Sequence, residues 1–114
     1  MTHKEFEKVV RESVETLPKF LRNKLDNIDI VIEDAPIAQK SLLGLYQGVP
    51  LKKRSHWYGN VLPDKITLFK DNIERVSRGE QDMKEWIRKV VIHEIGHHFG
   101  FGEEDLRALE NSKQ

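Results

Sequence analysis

Cysteine is absent from the 114 residues, so neither a disulfide framework nor a thiolate metal site can form, and any metal must be held by His, Asp or Glu. An excess of charge is also lacking. Lys and Arg total 19 and Asp and Glu total 19, which gives no electrostatic reason to expect a nucleic acid or a membrane surface as partner. No run approaches the roughly 18 apolar residues of a membrane span. The opening MTHKEFEKVVRESVETL is charged throughout and has no apolar centre of the kind signal peptides carry. A cytoplasmic protein is therefore expected. Repeats, linkers and low-complexity segments are missing too, and the length suits a single domain over residues 1–114.

What is present is periodic. Between about residues 2 and 24, Phe6, Val9, Val10, Val14, Leu17, Phe20 and Leu21 recur at three- and four-residue steps, the mark of an amphipathic helix. Thr2 and Glu5 have capping-box spacing at its start, and Pro18 should kink or divide it. In NIDIVIEDAP, Ile28, Ile30 and Ile32 alternate with Asp29, Val31 and Glu33, which predicts a strand with one buried face. LLGLYQG and VPLKKRSHWYG suit short strands, and KITLF at 65–69 is a stronger strand candidate. Asp71 and Asn72 are placed to cap a short helix over 73–77, and Ser77-Arg78-Gly79 breaks the chain before a long helix over about 81–99. A last short helix over 103–110 follows. The fold class is α+β: a small antiparallel or mixed sheet, most simply mostly antiparallel, packed against an N-terminal helix and the long helix.

The long helix carries HEIGHHFGFGEE, residues 93–104. At 100° per residue, His97 lies about 40° from His93 on the helix wheel, and Trp86, Val90 and Met83 share their sector. Both imidazoles therefore leave one side of the helix, close enough to grip one ion. Glu94 sits about 100° away, placed to touch a metal's water rather than the metal, while His98 at about 140° points elsewhere and suits packing or indirect support. Charged residues Lys84, Glu85, Arg88 and Lys89 cluster in the first half; Val90, Val91, Ile92, Ile95 and Phe99 surround the second and predict its burial on several sides. A carboxylate in that apolar half costs several kcal/mol unless it has partners, as Glu94 would beside a metal and its water. Gly96 suggests close approach of another backbone, and Gly100 suits a left-handed helix cap that turns the chain.

Two histidines leave a catalytic zinc one protein ligand short. HExxH followed by xxGxx and a ligand is the extended spacing of metzincin-type sites, and here that position is Glu103, where those sites have histidine. Glu104 and Asp105 are substitutes, and an acid at 103 also suits a helix N-terminus. Shuffling this composition yields HExxH in about 2% of arrangements, and adding Gly100 and an acid at 103 reduces that to about 2 in 10,000, so chance is a poor account of the motif. Elsewhere, Lys52-Lys53-Arg54 beside His56, Trp57 and Tyr58 is more simply a solvated turn than an anion site.

With LGLYQGVPL upstream and VLPDKITLFK before the motif helix, HEIGHHFG and the following acid resemble the minimal zincin-like metallopeptidases, a family of small, mostly bacterial proteins. The resemblance implies a zincin-like fold with Zn2+ at His93 and His97 and an acidic third ligand at Glu103. The expected activity is hydrolysis of a peptide bond in a peptide or protein substrate, with Glu94 as general base acting on a metal-activated water. An exposed strand edge would hold the substrate, and Tyr46, Tyr58 or His56 is the candidate to assist an oxyanion. Two alternatives remain beside it: a non-catalytic zinc-binding or protein-interaction module, and a zinc-dependent nuclease of the HxxxHxxGxxH kind.

Overall fold

The computed structural model describes residues 1–48, 63–100 and 102–111, with the side chains of Glu103, Leu106 and Leu109 outside the description. Helix α1 covers His3–Glu15, and α2 covers Lys19–Leu25. Pro18 divides them as expected: its ring fixes the extended turn that becomes the N-cap of α2. At the head of α1 the capping box is complete. The Glu5 amide donates to Thr2 Oγ1 at 3.1 Å and the Thr2 amide donates to Glu5 Oε1 at 2.7 Å, hydrogen bonds that hold the Glu5 carboxyl below the usual carboxylate range.

Strands β1 (Ile28–Glu33), β2 (Gly44–Gln47) and β3 (Asp64–Phe69) form one sheet in the order β1-β3-β2. Among the described residues it is mixed, one of the two arrangements expected: β1 runs parallel to β3, with Ile30 opposite Ile66, and β2 runs antiparallel to β3, with Tyr46 opposite Ile66. Alternation of apolar residues fixes which face of a strand is buried, not the strand's direction. Residues 34–63 are long enough for the crossover that parallel pairing requires. The strand expected over VPLKKRSHWYG falls within 49–62, outside the described residues, and with it lie Lys52, Lys53, Arg54, His56 and Tyr58.

Helix α3 (Lys70–Val76) leaves β3 directly. Asp71 and Asn72 consequently fall inside its first turn and do not cap it. Asn72 is buried and does something else. Its amide donates to the carbonyls of Lys40 at 2.8 Å and Leu42 at 2.6 Å, tying down the loop that delivers β2. After Gly79, with φ of 92°, comes α4 (Glu80–His98), and α5 (Glu103–Glu110) follows a turn at Gly100.

One sheet face, carrying Ile30, Ile32, Ile66, Leu68 and Gly44, packs toward the helices, and α4 crosses the middle of the molecule between α1 and β2. Phe6, Leu17 and Leu21 meet Ile87, Val91, Ile92 and Ile95 there, all with no exposed surface. Two expectations for α4 need correction. Phe99 is 44% exposed because the helix has already ended at His98, and its ring lies 4.4 Å beneath Lys24 Nζ. Arg88, grouped above with the charged half, is 3% exposed; its guanidinium donates to Thr16 O at 2.9 Å and Thr16 Oγ1 at 2.7 Å, at the end of α1. A buried cation is tolerated there because the C-terminal carbonyls of a helix carry partial negative charge.

Candidate metal centre

Val91, Ile92 and Ile95 are fully buried on the other faces of α4, which fixes the rotation of its last two turns and hence the direction of the motif side chains. His93 and His97 leave the same side, with ring centroids 5.9 Å apart and planes 28° from parallel. His93 is half-buried and His97 exposed. The turn at Gly100 has φ of 78°, the left-handed conformation expected of it, and brings the backbone of Glu103 in as the first residue of α5. The Glu103 side chain lies outside the described residues, while Glu104 and Asp105 are exposed.

Glu94 is held from the sheet. Its Oε1 accepts the backbone N–H of Tyr46 at 2.8 Å, so β2 fixes the carboxylate. The strand comes close because Gly44, two residues earlier, has no side chain: a Cβ there would collide with Val90 Cγ1 and lie 3.2 Å from Thr67 O. Gly44→Ala is accordingly expected to destabilise the fold by about 1–3 kcal/mol, read as a lower urea midpoint with an unchanged slope. Gly96 itself is buried in α4.

Tyr46 is anchored in turn. Its hydroxyl donates to Asp64 Oδ2 at 2.6 Å, and the His98 ring stacks on it with centroids 4.1 Å apart. His98 Nε2 is 3.7 Å from the same Asp64 oxygen. His98 thus faces the sheet, on the far side from His93 and His97, as its place on the wheel requires. Sequence reasoning offered Tyr46 only as an oxyanion candidate and overlooked Asp64.

It also overlooked Glu110. This last residue of α5 sets its carboxylate Oε1 against His93 Nε2, with 14% of the side chain exposed. That oxygen is shut off from solvent and, among the described residues, has no hydrogen-bond partner apart from the imidazole. A signal existed: residues seven apart on a helix share a face, so Glu110 stands two turns beyond Glu103 on the same side of α5. A groove of about 310 Å³ lies between β2 and α4, lined by Leu43, Gly44, Trp86, His93, Glu94 and Glu110.

Among the described residues, no three His, Asp or Glu side chains converge as a metal group. The donor chemistry nonetheless suits zinc: two imidazoles on one side of a helix, and a desolvated carboxylate oxygen beside one of them. A family model described as zincin-like metallopeptidase matches residues 25–113. The chain belongs to the zincin-like metallopeptidase family. The match spans the sheet, α4 and α5, and so includes every residue of the candidate centre. This zincin-like chain is also similar in fold to a conserved hypothetical protein from Thermus thermophilus, with a TM-score of 0.56 and 23% identity over 94% of this chain and 98% of that one. No curated protein matches the sequence. Among the described residues, no helix is long and apolar enough to cross a membrane.

Proposed function

We propose that the protein is a zinc-dependent peptidase whose metal is held by His93, His97 and Glu103 and whose general base is Glu94. The observation that carries this reading is the Glu94 carboxylate, fixed by the Tyr46 amide on the rim of a groove that also exposes His93. Zinc bound there would supply Lewis acidity, polarising a carbonyl and acidifying water. The chain's own residues do the rest. The Tyr46 N–H occupies one lone pair of Glu94 Oε1 and leaves the other oxygen to take a proton, which the same carboxyl later returns to the leaving amine. Among the described residues β2 lies at the end of the sheet, and Gly44 has the same backbone orientation as Tyr46, so an extended peptide laid along the groove would meet main-chain groups of β2. Leu43 and Trp86 give the groove apolar walls against which substrate side chains would pack.

The test is metal content together with turnover. Purified protein in excess zinc should retain about one ion per chain by elemental analysis, and His97→Ala should retain far less. A peptide library should be cleaved by the zinc-loaded protein and not after chelation. A wild-type chain that takes up no zinc under these conditions overturns the proposal.

A further inference from the structure

We propose that Glu110 closes the metal site, as a protein ligand that takes the position a substrate would need, and that the enzyme is latent until α5 withdraws it. This rests on the zinc site proposed above. Three observations carry it. The carboxylate is set against Nε2 of His93, a ring nitrogen that can ligate an ion. Its Oε1 is buried and, among the described residues, has no hydrogen-bond donor other than that ring. Glu110 also lines the groove that holds Glu94, so the side chain that reaches His93 takes up space a substrate would need beside it.

The chemistry distinguishes a closed site from an open one. Two imidazoles and one carboxylate leave a tetrahedral zinc with a free fourth position, the arrangement of catalytic sites; a second carboxylate fills it, the arrangement of structural sites. With positions 103 and 110 on one face of α5, a single helix would supply both acids, and the one at its far end could leave while the one beside the Gly100 turn stays. Withdrawal would convert one arrangement into the other without unfolding α4.

The experiment uses the full chain loaded with Zn2+ or Co2+. Zinc affinity is measured by competition with a chromophoric chelator, and the visible absorption of the cobalt form reports the ligand set. Glu110→Gln is expected to weaken zinc binding about 10-fold or more, to change the cobalt spectrum, and to raise the turnover of an unstructured peptide. Equal or tighter zinc binding with an unchanged cobalt spectrum means that Glu110 only pairs with His93 in the ion-free chain, which overturns the inference and leaves the peptidase proposal standing. Failure of the wild-type chain to bind either ion removes the peptidase proposal itself. Should Glu110→Gln not fold, Glu110→His carries the same test: a new imidazole ligand retains zinc and shifts the cobalt spectrum, whereas an unshifted spectrum again overturns the inference.

Discussion

Glu94→Gln is expected to lower kcat/KM about 10²- to 10⁴-fold on whichever peptide the zinc-loaded protein cleaves fastest, with zinc content unchanged. The substitution isolates one property. Glutamine has the size of glutamate, and its carbonyl oxygen can still accept the Tyr46 N–H, so the approach of β2 to α4 is kept. What disappears is the ability to take a proton from water and return it to the amine. On the proposed assignment Glu94 lies off the sector shared by His93 and His97 and would contribute no donor to the ion, so metal retention separates this loss from a damaged site. Turnover equal to wild type at full zinc occupancy would remove Glu94 from the mechanism.

The second large effect falls on stability. Arg88→Ala should cost about 3 kcal/mol, because it opens a cavity beneath α1 and strips Thr16 O and Oγ1 of the donor that satisfies them. In a chain of this size that corresponds to a fall in Tm of roughly 10 °C. Arg88→Lys should fall between the two, since an ammonium keeps the charge but cannot reproduce the planar fork. Thermal unfolding followed by circular dichroism measures both. A change within about 2 °C for Arg88→Ala would show that the buried guanidinium is tolerated rather than required. Zinc affinity should move little, because Arg88 lies more than a turn before His93, on the face of α4 that meets α1.

The elements that were legible in the sequence are those whose cause is local. The period of α4, the glycine that ends it, the break at Pro18 and the Thr2 capping box all follow from residues within a few positions of one another. The same holds for the shared side of His93 and His97, which helix geometry alone dictates. Contacts made across the fold were not legible. Tyr46 and Glu94 are 48 positions apart, and Arg88 and Thr16 are 72 apart, so no periodicity links them. The Tyr46 contact uses a backbone amide, which every residue but proline has, so the side-chain pattern holds no trace of it. Strand direction escaped for a related reason: the side-chain pattern of β1 suits a parallel and an antiparallel neighbour equally.

The turn at Gly100 has a mechanical consequence. Among the described residues between α4 and α5, Gly100 is the one in the left-handed region, and a rotation at that joint would swing α5 as an arm. The eight residues of α5 make that arm about 12 Å long, so a swing of about 10° at the joint carries its tip through about 2 Å. Glu103 sits near the pivot and barely travels over the same arc. Glu110 sits at the tip, where a small rotation spans the difference between touching an imidazole and clearing it.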